Sequence, residues 1–409
     1  MFRSQAVFFI LFGIFINCSG SSDSAIPENP VHEGAVTLEI TFGDDEVGLP
    51  SEHIIASPRA VGVSINNEIL VLDEEKIKVF NPDGTAKTII GGPGQGPGEF
   101  ERGYRLFVGP TGYISVKNIS ATSLISPEYE FISKRNYNHN PYYNQLKEEN
   151  NWDGGLSLYS IFTSENERIV SIMGNETVGS SYRPTEHNAL VHEKDGESST
   201  VVIFTKEYED TYIMKMGQGS LSMSQRIEFL GSLVWTVLPG RKLVYINTGK
   251  DYVDGENNGT YNMHIYDIET KTEQILSHEF DFVSFDNVEL PQKRDLSGIG
   301  DQAEYNQAEF DKFIENIHEY ADRLGHCVPL QALLNDGKYL FAFTYKTNEQ
   351  EEIFTDVFDM EAGEYICSTY FPKLPRTIAN GYAYSTYRAD EESFTVIAKY
   401  RIDPVVYGK

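Results

Sequence analysis

The chain has 409 residues and a formal net charge of −28, with 61 acidic side chains against 33 basic ones. A surface this acidic repels a phosphate backbone, so the charge argues against a nucleic-acid partner and leaves neutral or cationic partners open. Aromatic residues make up 12% of the chain, with 25 Tyr and 24 Phe, and this composition favours strands over helices. Length alone allows either one large β domain or several smaller domains.

The first 17 residues have the pattern of an export signal. One basic residue precedes an apolar run over residues 6–16, which is too short to span a bilayer as a helix. Cys18 comes next and is followed by small polar residues, so the segment resembles a bacterial lipoprotein signal, in which this Cys carries the lipid. Phe15 and Asn17 depart from the Leu and the small residue that such signals usually have. The alternative is ordinary cleavage after Gly20, which would release a secreted product.

This reading divides the chain into three parts. Residues 1–17 are a lipoprotein signal peptide, with the lipid attached to Cys18, and residues 18–35 are a polar tether that contains two prolines. Residues 36–409 are expected to form a single β domain.

A repeat of 45 residues runs through the first part of this domain. Segments 69–73 and 114–118 share one pattern of apolar residues, and segments 79–83 and 124–128 share another at the same offset. A constant offset across two strands and their turns is a supersecondary repeat, and about four strands in 45 residues is typical of a propeller blade. Later segments keep the pattern, so the sequence predicts an all-β fold, a six-bladed β-propeller.

Two further segments complete this architecture. The strand predicted at 36–42 has no partner in the first unit, and pairing it with the C-terminal blade would close the ring and remove exposed sheet edges. The region 301–325 has apolar residues at helical spacing, Phe310 and Phe313 among them, and Gly325 at its end. The sequence therefore predicts a propeller closed by its N-terminal strand, with one amphipathic helical insertion.

The run over residues 91–100 is rich in glycine and proline and cannot lie within a regular helix or strand. Two of its prolines remove N–H donors, and no Lys-Ser or Lys-Thr follows, so it does not fit a phosphate-binding loop. We interpret it as the junction between two blades, in which the glycines form the turn, while the Glu and the Phe fix the turn and fill the core. The junction motif is Gly96, Pro97, Gly98, Glu99 and Phe100.

This motif, placed between two strand repeats, resembles the junction of the six-bladed β-propeller lipoproteins of Bacteroidota. That group is similar to the NHL-repeat and TolB-like propellers, and most of its members have no assigned biochemical activity. The resemblance implies a propeller fold over most of the mature chain and implies no function.

Two groups of polar residues are candidate metal ligands. His187 and His192 each lie beside a glutamate, but their spacing fits neither one face of a strand nor a helical pair, which favours a surface hairpin. Asp251, Asp254 and Glu256 lie in an acidic loop whose oxygen atoms are suited to Ca²⁺, although the loop lacks the spacing of an EF-hand. We expect no cofactor, with Ca²⁺ at these three carboxylates as the weaker alternative.

Other reactive or aromatic residues leave alternatives open. Cys327 and Cys367 could form a disulfide or remain buried thiols. Trp152 and Trp235 could stack on a sugar or peptide, although such side chains more often fill the spaces between blades. The sequence has neither a Gly-x-Ser-x-Gly elbow nor a His-Glu-x-x-His motif.

These patterns favour an exported, membrane-anchored protein, with the outer membrane as its expected location. It would bind a protein, peptide or glycan on the central face of the propeller, and the lipid on Cys18 would hold it to the membrane. One alternative is a metal-assisted hydrolase similar to the lactonase-like propellers, with its site in the central channel. Another is a structural subunit of an outer-membrane complex that docks through the helix near Phe313.

Overall fold

A computed structural model describes residues 30–44, 48–119, 121–136, 140–176, 185–206, 211–216, 219–224, 227–296, 303–388 and 394–409. Strands dominate, and they form six sheets and one separate hairpin. The first strands are β1 (Val31–His32) and β2 (Val36–Phe42). The first three sheets consist of β3 (Ala60–Val63), β4 (Ile69–Asp73), β5 (Lys76–Phe80) and β6 (Ala86–Ile90); β7 (Arg105–Val108), β8 (Ile114–Lys117), β9 (Ala121–Ile125) and β10 (Phe131–Asn136); and β11 (Asp153–Ser164), β12 (Glu167–Glu176), β13 (Thr185–Lys194) and β14 (Glu197–Thr205).

The second half of the chain begins with the separate hairpin, β15 (Thr211–Met216) and β16 (Gly219–Ser224). Its sheets consist of β17 (Leu233–Leu238), β18 (Lys242–Asn247), β19 (Tyr252–Asp254), β20 (Asn258–Asp267) and β21 (Glu273–Asp281); β22 (Ala332–Asp336), β23 (Tyr339–Thr347), β24 (Ile353–Asp359) and β25 (Glu364–Phe371); and β26 (Thr377–Ala379), β27 (Tyr382–Tyr387) and β28 (Val396–Ile402). The helices are α1 (Pro141–Asn150) and α2 (Ala303–Leu324), and short 3₁₀ turns cover Ser51–His53, Glu228–Leu230, Phe285–Asn287 and Pro404–Tyr407.

Each of the six sheets is one blade of a β-propeller. The first strands of neighbouring blades lie beside one another around a central axis, and each blade then runs outward as an antiparallel meander. These innermost strands are β3, β7, β11, β17, β22 and β26. The predicted all-β, six-bladed propeller is confirmed, and the 45-residue repeat corresponds to the second and third strands of blades one and two.

The N-terminal strand β2 closes the ring. It is the outermost strand of blade six and pairs antiparallel with β28, from Val36 opposite Ile402 to Phe42 opposite Ile397. Phe42 is fully buried, and its ring lies 5.1 Å from that of Phe80 in blade one. The first and last parts of the chain therefore share one sheet, and the prediction of closure by strand 36–42 is confirmed.

The segment just before β2 also belongs to the folded domain. Strand β1 pairs in parallel with β25, the outer strand of blade five, and the backbone N–H of Ser368 donates to the carbonyl of Pro30 at 2.9 Å. The predicted tether over 18–35 is therefore too long by its last six residues, which lie against blade five. The predicted signal peptide and Cys18 lie outside the described residues.

The connections between blades lie on one face of the propeller. In a four-stranded meander, the step from an outermost strand to the next innermost strand occurs at the face where the innermost strands begin. We call this the upper face. The run 91–100, helix α1, the β15–β16 hairpin and helix α2 all belong to such connections. The innermost and second strands are instead joined at the lower face by short turns, such as the two residues between β26 and β27.

Helix α2 occupies the region predicted to be helical at 301–325. Its apolar face is buried, with Phe310 and Phe313 both fully covered, and it packs against Tyr212 of the β15–β16 hairpin and Phe229 before blade four. The helix thus covers part of its own propeller. The Phe313 side chain is itself buried and not available to a partner, and docking of a complex through this helix stays a prediction.

Helix α1 was not expected from the sequence. It begins after Asn140, whose side chain accepts a hydrogen bond from the N–H of Tyr142, and it has Pro141 in its first turn. Only Tyr143 and Leu146 of its ten residues are buried. Two apolar anchors give too little periodicity to distinguish a short helix from a loop. No helix in the described part of the chain is long and apolar enough to cross a membrane.

Both described cysteines are buried free thiols. Burial raises the pKa of the Cys327 thiol to about 12 and that of Cys367 to about 11. At neutral pH both remain protonated and act as small apolar core residues.

Candidate functional site: the central channel

The innermost strands of all six blades surround a channel of about 330 Å³. Its volume is at the lower end of the range of roughly 300–1,000 Å³ that is usual for ligand pockets. Polar and apolar groups both line it, and polar side chains lie near both ends of the axis. Residues from each blade contribute to the wall, namely Gly62 and Val63, Phe107 and Val108, Tyr159 and Ile161, Trp235 and Thr236, Leu334 and Asn335, and Arg376 and Ile378.

Three aromatic rings from consecutive blades form a stack in the channel wall. The ring of Phe107 lies 4.8 Å from that of Tyr159, and Tyr159 lies 5.1 Å from Trp235 with its plane tilted by only 5°. Tyr159 is therefore covered on both faces by its neighbours. A ligand in the channel meets the edges of these rings, which carry the positive end of the aromatic quadrupole.

The indole N–H of Trp235 is a buried donor beside the Tyr159 hydroxyl. Trp235 is only 7% exposed, and its Nε1 is fully buried. Burial raises the pKa of the neighbouring Tyr159, and the positive charge of Arg105 and a hydrogen bond with the indole of Trp235 oppose that rise. The indole thus interacts with the Tyr159 hydroxyl, and its buried nitrogen is not accessible to a ligand in the channel.

Arg376 brings a positive charge to the upper part of the channel wall. It immediately precedes β26, and its backbone N–H donates to the carbonyl of Tyr384 at 2.7 Å, which fixes the start of the strand. The side chain is exposed and lines the channel. Its guanidinium forms no ion pair with any described carboxylate, although acidic residues greatly outnumber basic ones. Arg105 begins β7 on blade two and is likewise exposed.

Satisfied polar groups line the lower end of the channel, where the cavity reaches the turns that follow the innermost strands. Thr236 donates to Asn335 at 2.7 Å between blades four and five. Asp336 accepts from the backbone N–H groups of Asn380 and Gly381 at 2.7 and 2.8 Å, and from the hydroxyl of Tyr407 at 2.8 Å. These bonds join blade five to blade six, so Asp336 has a structural role.

The described channel wall contains no catalytic cluster. Asp336 is its only carboxylate, and it has no His. Across the described residues, no group of three His, Cys, Asp or Glu side chains is arranged to hold a metal ion. The chemistry that this wall offers is therefore hydrogen-bond donation and positive charge beside an apolar surface.

The glycine-rich junction lies outside the channel. Phe100 is fully buried in a cluster that joins Leu72 of blade one to Val116 of blade two. Glu99 folds back, and its carboxylate accepts from the N–H of Gly96 at 2.8 Å. Gly98 has φ of +78°, a conformation that L side chains rarely adopt. Pro97 lies between these two glycines in the turn, so all five residues of the motif serve the junction.

The acidic loop beyond β18 does not gather its carboxylates. Asp251 accepts from the N–H of Asn247 at 2.7 Å and lies 3.5 Å from His264, whereas Asp254 pairs with His326 at 3.1 Å. Glu256 is exposed. Ca²⁺ binding stays a prediction that no converging set of described ligands supports.

The two histidines of the other candidate cluster are buried on opposite faces of β13. His187 bonds to Thr205 and stacks on Trp152, with ring centroids 5.4 Å apart. His192 bonds to Glu167 at 3.1 Å. The surface hairpin expected at this position is wrong, because both side chains are less than 9% exposed. They do not converge on a common ligand.

A second cavity of about 140 Å³ lies between blades four and five. Its buried Asp356 accepts from Ser368 at 2.7 Å and from Tyr261 at 3.1 Å, and His278 lies 3.7 Å away. Here the carboxylate stands between Ser368 and His278, so the imidazole is not placed to take the serine proton. These groups form a satisfied polar core.

Among the residues of the channel wall, the sequence singled out only Trp235. Arg376 and Tyr159 carry no local motif, because a channel site takes single residues from separate blades. The sequence does place Arg376 just before a short strand near the C-terminus. That position indicates a channel residue only once this strand is known to be an innermost one.

No family model matches this chain, and no curated protein matches it. Among solved structures, it is similar to BBS1N in complex with ARL6DN, with 9% identity over 91% of this chain and 98% of that one, at a TM-score of 0.33. It is similar to the Pan2 WD40 domain of Neurospora crassa, with 7% identity over 82% and 74%, at a TM-score of 0.31. A third is the α-L-arabinofuranosidase Arb93A of Fusarium graminearum, with 10% identity over 89% and 97%, at a TM-score of 0.33. Likeness this remote carries no argument about ligand or activity.

Proposed function

We propose that this protein is a binding protein that holds a small ligand in its central channel. The observation that carries this proposal is the guanidinium of Arg376, which lines the channel and forms no ion pair with a described carboxylate. A charged group on the wall of a cavity of this size is available to a polar group of a ligand.

The turns on the lower face supply part of the channel lining. The innermost strands end there in short hairpins, and residues of these turns, such as Ile65, Pro239 and Gly337, line the cavity. Loops on a rigid scaffold are where binding specificity usually resides. The size of the channel suits a small molecule or one group of a larger ligand.

Tryptophan fluorescence provides a direct test, because the chain has only two tryptophans, Trp152 and Trp235. In the variant Trp152→Phe, all tryptophan emission comes from the channel wall. A fragment library should contain compounds that change this emission saturably and raise the melting temperature of the same variant. The matched variant Trp235→Phe keeps Trp152, which is buried against His187, and its emission should not respond. If every hit changes the emission of Trp152 and none changes that of Trp235, the channel is not the binding site.

We further propose that a lipid on Cys18 anchors the protein to a membrane and that this membrane is the outer membrane. The support is the apolar run that ends at this Cys and the likeness to the propeller lipoproteins of Bacteroidota. Fatty acid labelling in the expressing cell should mark the wild-type chain, and Cys18→Ala should abolish the label and move the protein to the soluble fraction. Unchanged membrane partitioning of Cys18→Ala would contradict the anchor and leave the channel proposal intact.

A further inference from the structure

We propose that the ligand of the channel carries a carboxylate, which binds beside Arg376 while an apolar body fills the channel below it. This inference rests on the proposed function and adds the chemical class of the ligand. It draws on the charge of the wall, the orientation of its aromatic rings and the state of its one acidic group.

The charge at this level of the channel is positive in a strongly acidic protein. The chain has 61 acidic and 33 basic side chains, yet among the described residues no carboxylate lies within ion-pair distance of Arg376 or Arg105. Both arginines are near the start of an innermost strand, on blades six and two, which flank blade one. An arginine kept apart from an excess of protein carboxylates is available to a carboxylate from outside.

The aromatic part of the wall also favours an anion. Tyr159 is sandwiched between Phe107 and Trp235, so only the edge of its ring is left for the channel. Ring edges are electropositive, so they too favour an anion. The planar guanidinium matches the geometry of a carboxylate, which it can bind through two parallel hydrogen bonds.

The rest of the channel favours an apolar body over a second charge. Below this level the wall is formed by Val63, Val108, Ile161 and Ile378, among others. The acid at the lower end, Asp336, is already held by three donors, so it is not free to bind a cationic group. Arg376 lies four residues before Asn380, about 13 Å along an extended strand, so the two charged levels are well separated.

The test compares an acid with its neutral isostere in the Trp152→Phe background. Benzoate, benzamide and inorganic phosphate are titrated, with Trp235 fluorescence and calorimetry as independent readouts. Benzoate should bind saturably with one site per chain, and benzamide at least about tenfold more weakly, since an ion-paired hydrogen bond is roughly twice as strong as a neutral one. Phosphate alone should bind weakly, because it has no apolar body.

Substitutions then assign the effect to one residue. Arg376→Gln should weaken the binding of benzoate about tenfold and leave the binding of benzamide unchanged. Arg376→Lys keeps the charge without the planar guanidinium, so its affinity for benzoate should lie between those of the wild type and Arg376→Gln. Arg401→Gln removes the same charge from an exposed position in β28 and should change neither ligand. Equal melting temperatures of the three variants would show that folding is intact.

The outcomes separate this inference from the proposed function. If benzamide binds as tightly as benzoate, or if Arg376→Gln leaves benzoate binding unchanged, the carboxylate is not selected, although the channel still binds ligands. Failure of benzoate to bind also overturns the inference. If phosphate binds more tightly than benzoate, the site takes an inorganic anion instead.

Discussion

At the scale of single residues, blades one and two fill one repeated position with different chemistry. In blade one, Lys78 is fully buried, and its Nζ lies 2.6 Å from the carboxylate of Asp73. Forty-five residues later, Asn118 donates to Ser123 at 3.0 Å. An uncharged pair thus occupies the place of an ion pair. Removing one partner of a buried ion pair costs about 3–5 kcal/mol, so Asp73 and Lys78 depend on each other.

A neighbouring lysine gives a prediction for the pH dependence of stability. Lys117 is 2% exposed, and burial lowers the pKa of its ammonium to about 7. An unfolded chain has a lysine pKa near 10.4, so between about pH 7 and 10 only the unfolded state holds this proton. Stability should therefore rise with pH across this window, and the cost of charging Lys117 is greatest below pH 7.

Replacing Lys117 with Met should remove this dependence and keep the apolar stem. At pH 6 the variant is expected to be more stable by about 1–3 kcal/mol, and the gain should shrink as the pH approaches 10. Denaturant unfolding at pH 6 and pH 9.5 measures both values. Lys271→Met, at an exposed turn, is the matched control and should show little change at either pH. A gain that is equal at both pH values would show that charge burial is not its cause.

Individual residues were predictable from the sequence where their role was local. The five residues of the junction motif lie in a turn whose glycines and buried Phe100 follow from backbone and packing rules. Arg376 could not be identified, because its role depends on Tyr159 and Trp235, which come from blades that are distant in sequence. A role that depends on neighbouring residues can be predicted from the sequence. Residues that converge around the channel axis from separate blades can be recognised only once the fold is known.

At the scale of elements, the apolar segments that predicted the blades correspond to their second and third strands. Strands β4 and β8 are entirely buried; β4 reads as an apolar run that ends in Asp73, and β8 alternates Ile114 and Val116 with polar residues. The innermost strands β3, β7 and β26 have only three or four residues each, too few for a period to emerge. The sequence therefore indicated blades without showing which strand lined the channel.

The two helices also differ in how well the sequence predicts them, because they differ in length. Helix α2 has 22 residues, and its apolar stripe repeats over several turns, so its type and position were predicted to within two residues. Helix α1 has ten residues and two buried anchors, and its start depends on a single Asn cap. Insertions between blades thus become predictable only when they are long enough to bury a continuous face.

At the scale of the whole molecule, the ring depends on an element from the opposite end of the chain. Strand β2 supplies the outer edge of blade six, and Ala35, Val36 and Phe42 are buried beside it or within it. Burying one large apolar side chain contributes about 1.5–3 kcal/mol, so these contacts are comparable to a large part of the usual 5–15 kcal/mol of a folded domain. Without β2, the edge of β28 would also be exposed to other chains.

Truncation from the N-terminus should therefore show a threshold at β2. A chain that begins at Pro30 keeps both N-terminal strands and should unfold as cooperatively as the whole protein. A chain that begins at Val36 loses only β1 and should be modestly destabilised, whereas one that begins at Asp44 loses β2 and should aggregate or unfold at a much lower temperature. Size-exclusion chromatography and thermal unfolding of the three chains measure this. Adding a synthetic peptide of residues 35–43 should restore part of the lost stability by strand addition. A monomeric chain from Asp44 onward with an unchanged melting temperature would mean that the other strands hold the ring closed without β2.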